Sequence, residues 1–127
     1  MKANELRIGN WVKLNKYFYR VYSIDPLNIK LTDKEKIVIS GYYVDGIKPI
    51  PLTEEILLKC DDCKKHSTKW YMITIGSITV SVNVKTNTTT ITDDYTDEVM
   101  LNIKCEYLHQ LQNIVQSLTH QEINIQL

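Results

Sequence analysis

Short segments rich in aromatic and β-branched residues follow one another in the first fifty residues of this 127-residue chain, and their side chains fall into two alternating sets, both of which carry rings or branched chains in residues 17–24. Such alternation is typical of β-strands, whose successive side chains point to opposite faces. Asn15-Lys16, Asp25-Pro26 and Asp45-Gly46 supply turns between the alternating segments. The predicted strands are Trp11–Leu14, Tyr17–Ile24, Asn28–Leu31, Ile37–Ile39 and Tyr42–Val44. Short strands joined by tight turns predict a small, strongly bent β-barrel of the SH3-like type.

A helix is predicted directly after this region. Pro51 ends the strands, Thr53 is a good N-cap, and Glu54-Glu55 place carboxylates in the first turn, where the helix dipole favours them. Leu52 and Leu57 have the spacing of a hydrophobic staple. Residues 51–60 therefore connect the predicted barrel to the second half of the chain.

Alternation returns in residues 73–103, with a hairpin turn at Gly76-Ser77 and another turn at Thr86-Asn87. Isoleucine, valine and leucine fill one set of positions, whereas threonine, serine and asparagine fill most of the other. This pattern predicts an antiparallel sheet that is covered on one face only.

The predicted cover of this sheet is a helix over residues 105–119. Its apolar residues form one stripe at helical spacing: Tyr107, Leu108, Leu111, Ile114, Val115 and Leu118. Ile123–Leu127 alternates again and predicts a short final strand. We therefore predict a single α+β domain over residues 1–127, with a small barrel in 1–50 and a helix, a β-meander and a helix in 51–127.

Net charge is distributed unevenly along the chain, although the whole sequence has fifteen basic and fifteen acidic residues. Residues 1–30 carry a net charge of +4 and residues 93–127 a net charge of −5. No apolar run approaches the ~18 residues that a membrane-spanning helix needs, and the first residues lack the apolar core of a secretory signal. We expect a cytoplasmic protein without a membrane partner.

The cysteines suggest a zinc site, but their spacing along the chain gives this site only weak support. Cys60 and Cys63 have zinc-finger-like spacing, and His66, Cys105 and His109 could complete a set of ligands. A single CxxC pair is a weak signal, and Cys60 falls on the apolar face of the predicted helix. Glycine-rich phosphate loops and nucleophile or metalloprotease motifs are also missing from the sequence. We expect no metal, no cofactor and no enzymatic activity.

Two groups of residues are candidates for binding a partner. Aromatic rings and cations interleave near the start of the chain, a combination that can stack bases and track phosphates; these residues are Arg7, Trp11, Lys13, Lys16, Tyr17, Tyr19 and Arg20. The last predicted helix has a polar face that packing alone does not require; its candidates are His109, Gln112, Asn113 and Gln116.

Three segments, residues 6–12, 50–60 and 107–113, together resemble a family of small uncharacterised phage and prophage proteins. Their sequences are LRIGNWV, IPLTEEILLKC and YLHQLQN. The order and spacing of these segments match the family over nearly the whole chain, but the aromatic-rich stretch that relatives carry after the last segment is replaced by residues 114–120. The resemblance implies a mobile-element gene expressed in a bacterial cytoplasm, and it carries no catalytic residues.

These observations leave four functions open, one of which is an enzyme such as a zinc hydrolase. The first is a non-enzymatic interaction protein that blocks a host defence nuclease or its RNA complex, such as an RNA-guided CRISPR effector (an anti-CRISPR-like inhibitor). The second is a small nucleic-acid-binding module that uses the basic and aromatic residues of the barrel. The third is a virion or assembly component. The oligomeric state is not determined by the sequence.

Overall fold

The structure, a computed structural model, describes residues 3–25, 28–33, 38–42 and 46–127. Its described residues form an α+β fold with two antiparallel sheets, as predicted. The chain divides into two compact units. Unit 1 comprises Met1–Ile50 and Tyr107–Asn113, and unit 2 comprises Pro51–Glu106 and Ile114–Leu127.

Unit 1 contains a four-stranded antiparallel sheet that follows a short 3₁₀ turn, Ala3–Glu5. Its strands, in sheet order, are β1 (Trp11–Leu14), β2 (Tyr17–Ile24), β3 (Ile29–Thr32) and β4 (Val38–Tyr42). The turn between β1 and β2 lies at Asn15-Lys16, as predicted, and Asn15 has a φ of 56°. Asparagine tolerates this left-handed conformation better than most residues.

The core of unit 1 is formed by one face of this sheet and the segments that flank it. Its buried residues are Leu6, Val12, Leu14, Val21, Ile29, Leu31 and Ile47, with Tyr19 and Ile24 packed against them. A β-bulge between Val21 and Ser23 shifts the alternation of side chains by one residue, so that Ile24 faces the core on the same side as Val21.

The fourth strand differs from the prediction. One strand, Val38–Tyr42, occupies the region where Ile37–Ile39 and Tyr42–Val44 were expected, and residues 37 and 43–45 lie outside the described residues. Among the described residues β4 does not pair with β1, so the named strands do not close into a barrel.

Unit 2 begins with the predicted helix, α1 (Glu54–Leu57). The Thr53 hydroxyl accepts a hydrogen bond from the Ile56 N–H at 3.3 Å, which confirms the N-cap. Leu52 and Leu57 are both buried, as the staple pattern requires.

The sheet of unit 2 has five antiparallel strands in sequence order. They are β5 (Cys63–Lys65), β6 (Trp70–Ile75), β7 (Ile78–Asn83), β8 (Thr88–Asp93) and β9 (Val99–Lys104). Ile73, Val80, Ile91 and Leu101 lie side by side in register across β6 to β9. The first three are buried and Leu101 is half-buried, whereas Thr74 on the other face is exposed. The predicted covered and uncovered faces are therefore confirmed.

The second helix, α2 (Leu108–Thr119), begins three residues later than predicted. The Cys105 N–H donates to the Asn87 carbonyl at 2.7 Å, so residue 105 still belongs to the strand region. The predicted final strand is reduced to one bridge between Ile125 and Cys60. None of the described helices is long and apolar enough to cross a membrane.

Candidate functional site

The loop that precedes β1 is held by the side chains of Gln112 and Asn113, two residues of α2 that belong to unit 1 like the loop itself. The loop reverses direction at Gly9, which has a φ of 95°, a conformation that glycine adopts without a steric penalty. The Gly9 N–H donates to the Val21 carbonyl at 2.8 Å, and the Val21 N–H donates to the Asn10 carbonyl at 2.8 Å. The loop is thereby fixed to β2 on one side.

Gln112 fixes the loop on the other side. Its Oε1 accepts from the Trp11 N–H at 2.9 Å, and its Nε2 donates to the Gly9 carbonyl at 3.3 Å. Gln112 is 1% exposed, so both hydrogen bonds form away from water. A buried backbone N–H without a partner is costly, and the Gln112 amide removes this cost for Trp11.

Asn113 extends the same network. Its Oδ1 accepts from Asn10 Nδ2 at 2.8 Å and from Arg7 Nε at 3.2 Å, while its Nδ2 donates to the Glu5 carbonyl at 3.1 Å. The side chain of Asn10, which is fully buried, also accepts from the Arg7 N–H at 2.7 Å. The network joins two of the three segments that carry the family resemblance, residues 6–12 and 107–113.

His109 lies on the same helix and is 2% exposed. Its ring stacks with that of Tyr107, with centroids 6.0 Å apart and planes 15° apart. Nδ1 has no hydrogen-bond partner among the described residues. Burial lowers the pKa of His109 below its usual 6.5, and the nearby Glu5 carboxylate only partly opposes this effect. The buried imidazole is therefore neutral at pH 7.

The structure thus separates the candidate residues of the polar helix face. His109 and Gln112 are buried, Asn113 is half-buried and bonded to the loop, and Gln116 is half-buried. The first three contribute to the interior of unit 1. A partner in solution has better access to the candidates on the sheet.

The outer face of the unit 1 sheet carries four cations and one aromatic ring, which together we call the basic face. The cations are Lys13, Arg20, Lys30 and Lys48, and the ring is that of Phe18. Strand alternation places these side chains opposite the core residues Val12 and Leu31. None of the four cations forms a salt bridge with another described residue.

Two lysines of the basic face lie directly opposite each other. Lys13 and Lys48 exchange backbone hydrogen bonds of 2.9 and 2.8 Å in an antiparallel bridge, and Phe18 is the partner of Lys13 on the other side. Directly opposed side chains in antiparallel strands share one face and lie about 5 Å apart at Cβ. Like charges in such a pair are destabilising.

Arg20 occupies the next row of the basic face, opposite Trp11. Its guanidinium lies 5.6 Å from the centre of the Trp11 ring, and its Nη2 donates to the Gly9 carbonyl at 3.3 Å. Trp11 is only 5% exposed, so its ring is not free to stack on a base. Arg20 is held by the ring and the loop while its side chain stays exposed.

The remaining sequence candidates lie elsewhere in unit 1. Tyr19 is half-buried and packs against the core, because it pairs with Val12 on the inner face. Tyr17 is 57% exposed, and the Lys16 ammonium lies 5.5 Å from the centre of its ring. Arg7 is half-buried in the Asn113 network. The structure therefore brings Lys13 and Arg20 together on one face but directs Tyr19 and Arg7 away from it.

Two of the cysteines lie close together, because the Cys63 N–H donates to the Cys60 carbonyl at 3.2 Å, but the described residues do not assemble the predicted set of zinc ligands. Cys60 and Cys105 are buried, Cys63 is half-buried in β5, and His66 is exposed. Burial raises the pKa of Cys60 to about 12, which disfavours the thiolate that a metal needs. No group of three metal-ligating side chains occurs in the part of the chain that the structure describes.

A shallow groove of about 300 Å³ on the outer face of the unit 2 sheet was not anticipated from the sequence. Its lining includes His66, Trp70, Met72, Ser81 and Thr90. The groove could have been predicted from the alternation within β6, which places Trp70 and Met72 on the face opposite the buried Tyr71 and Ile73.

Comparisons of the chain with protein-family models, with curated proteins and with solved structures gave no match.

Replacing Gln112 with alanine should destabilise the protein. Gln112→Ala leaves the buried Trp11 N–H without a partner, which we expect to lower the free energy of unfolding by about 2–3 kcal/mol. Gln116→Ala on the same helix should change it by less than about 0.5 kcal/mol. Urea unfolding followed by circular dichroism measures both, and equal effects would contradict the role of Gln112.

Stability should fall as the pH drops below about 6.5, because His109 binds a proton more readily in the unfolded chain than in the fold. The contribution of neutral His109 is complete above this pH and is lost progressively below it, at no more than about 1.4 kcal/mol per pH unit. Urea unfolding at pH ~7.5 and pH ~5.5 should show a smaller difference for His109→Gln than for the wild type. His66→Gln, at an exposed histidine, should behave like the wild type.

Proposed function

We propose that the chain is a non-enzymatic binding protein that holds single-stranded nucleic acid on the basic face of unit 1. The observation that carries this proposal is the Lys13–Lys48 pair, in which two cations without an acidic partner among the described residues face each other across one bridge. A phosphate placed between them replaces repulsion with attraction. Arg20 and Lys30 extend the positive surface along the same sheet.

The burial of the aromatic rings determines the kind of recognition that we propose. Trp11 lies under Arg20 and Tyr19 packs inward, so neither of these two rings is available to stack on a base. Contacts to phosphates therefore dominate over base stacking, and we expect weak sequence preference and a strong dependence on salt.

The SH3-like barrel remains part of this proposal. Lys48 follows β4 in the chain and bridges to Lys13 at the free edge of β1. A short fifth strand at this edge is what an SH3-like barrel requires, and it places Lys48 beside Lys13. We propose that unit 1 is such a barrel and that residues 46–48 serve as its closing strand.

A second candidate is the counter-defence inhibitor that the family resemblance suggests, acting in the cytoplasm of a bacterial host. The observation that favours it is the turn between β8 and β9, which we call the acidic turn. It carries Asp93, Asp94, Asp97 and Glu98 around Tyr95, and Tyr95 is 88% exposed. The Tyr95 N–H donates to Asp93 Oδ1 at 2.8 Å, and the Asp97 N–H donates to the Asp93 carbonyl at 2.8 Å, so the turn is ordered.

Ordered carboxylates around an exposed tyrosine suit the basic groove of a nuclease. Such a groove binds phosphates with arginine and lysine side chains, and carboxylates offer these side chains the same charge. Tyrosine is enriched among residues that dominate protein–protein binding energies. We propose a defence nuclease or its RNA complex as the partner in this case.

The first candidate predicts salt-dependent binding that charge reversal on the basic face removes. Lys13→Glu/Lys48→Glu should weaken binding of fluorescent dT and U oligonucleotides of about 20 residues by at least tenfold, because two phosphate contacts become repulsive. Fluorescence anisotropy at several salt concentrations should also show a salt slope that is smaller by about two.

Lys69→Glu/Lys85→Glu is the matched control, since it changes the net charge equally at two exposed lysines of unit 2. Its affinity should stay within about threefold of the wild type. Binding that is absent, insensitive to salt, or equally weakened in both variants would contradict the proposal.

The second candidate predicts capture of a host nuclease through the acidic turn. The tagged full chain should retain the nuclease from phage-infected lysate with and without added nucleic-acid-degrading nuclease, and the captured enzyme should lose cleavage activity. Tyr95→Ala should abolish both effects, whereas Tyr22→Ala, at a tyrosine that is 56% exposed, should not. Recovery only from untreated lysate would contradict this candidate and favour nucleic-acid binding.

A further inference from the structure

The β-bulge in β2 adds a residue, Tyr22, to the outer face of the unit 1 sheet. Val21 and Ile24 both face the core of unit 1, so the two residues between them, Tyr22 and Ser23, lie on the other side. Ser23 is the partner of Lys30, a cation of the basic face. The bulge therefore places the Tyr22 ring in the row of the outer face that Lys30 occupies.

Among the described residues, no neighbouring strand pairs with Tyr22. The pairing of β1 with β2 ends where Trp11 lies opposite Arg20, two residues before Tyr22. The pairing with β3 passes over Tyr22, as it does for the inserted residue of any bulge. The Tyr22 side chain is 56% exposed, and none of the described residues stacks on its ring or forms a hydrogen bond with its hydroxyl group. The ring is therefore accessible to a ligand.

Arg20 provides a fixed cation next to this ring. The two residues are separated by one position in β2, so their side chains lie on the same face, about 7 Å apart along the strand. The Arg20 guanidinium lies 5.6 Å from the centre of the Trp11 ring, and its Nε and Nη2 both donate to the Gly9 carbonyl, at 3.4 and 3.3 Å. A cation that is already held in place loses little conformational freedom when a phosphate binds to it.

An accessible ring next to cations suits a single strand of nucleic acid. Proteins that bind single strands place aromatic rings where bases stack and cations where the phosphate backbone passes. A double helix offers no such base, because its bases are stacked on one another, whereas the bases of a single strand can turn outward onto a ring.

We propose that Tyr22 stacks on one base of a single strand whose phosphates contact Arg20 and Lys30. This inference rests on the proposed nucleic-acid function and adds one base contact to the phosphate contacts of the basic face. Every base has a flat face on which a tyrosine ring can stack, so the weak sequence preference is retained. The bulge thus makes the site selective for single strands.

Tyr17, on the same strand, provides a matched control. It is 57% exposed and so as accessible as Tyr22. However, it is the cross-strand partner of Leu14, a core residue, and directly opposed residues share one face of a sheet. The Lys16 ammonium also lies 5.5 Å from the centre of the Tyr17 ring. Tyr17 therefore belongs to the face opposite the cations.

Two oligonucleotides with the same phosphates, one with bases and one without, test the stacking. The probes are fluorescent dT of about 20 residues and an abasic strand of the same length. In fluorescence anisotropy the wild type should bind dT about tenfold more tightly than the abasic strand. Tyr22→Ala should bind dT about tenfold more weakly than the wild type does and bind the abasic strand equally well. Tyr22→Phe, which keeps the ring, should match the wild type with both probes.

The salt dependence separates stacking from phosphate binding. Tyr22→Ala should keep the wild-type salt slope, because it loses no phosphate contact. Tyr17→Ala should bind both probes like the wild type, and far-UV circular dichroism should show the same fold for all variants. Equal binding of the two probes by the wild type, or an equal loss for both in Tyr22→Ala, overturns the stacking and leaves the phosphate contacts in place. A wild-type chain that binds neither probe overturns the nucleic-acid function itself, and the stacking with it.

Discussion

The rest of unit 1 depends on one constraint: the backbone N–H and C=O groups of the loop before β1 need hydrogen-bond partners. Gly9 turns this loop back on itself, so the N–H of Trp11 and the carbonyl of Gly9 find partners outside the sheet. The Gln112 amide supplies one donor and one acceptor at the required places. The Trp11 backbone is thereby fixed, and the β1–β2 register then sets where Arg20 and Lys13 lie on the outer face. The side-chain amide of Gln112, inside unit 1, therefore positions the basic face.

This arrangement also explains which structural features could be predicted from the sequence. Alternation identified β1 to β3 and β6 to β9, because apolar side chains recur at every second position in most of these strands, and the Thr53 cap and the apolar stripe identified the two helices. β5 was missed, because an edge strand of three residues with two lysines lacks a buried set of side chains. The start of α2 was misplaced, because it depends on hydrogen bonds from Cys105 and Leu108 to residues distant in the chain.

The candidate site was predicted less well than the fold, for a different reason. Periodicity assigns polar residues beside an apolar stripe to the solvent, and so it treated His109 and Gln112 as available to a partner. Gln112 instead points inward, because the polar backbone of a loop about a hundred residues earlier in the chain lies opposite it. One sequence contains no signal for such a pairing. Two of the four cations of the basic face, Lys13 and Arg20, were among the predicted candidates, but Tyr19 was grouped with them although strand pairing turns it to the inner face.

Unfavourable features among the described residues differ in their location, and the location distinguishes a structural role from a binding role. Nδ1 of His109 lacks a partner among the described residues, but it is buried, so no ligand at the surface can relieve it. The opposed Lys13 and Lys48 are different, because Lys48 is exposed and Lys13 is half-buried on the outer face of the sheet. A bound anion would relieve the repulsion between these two lysines. An unfavourable pair that a second molecule can relieve is what a binding surface contains, and this pair lies outside the core of unit 1.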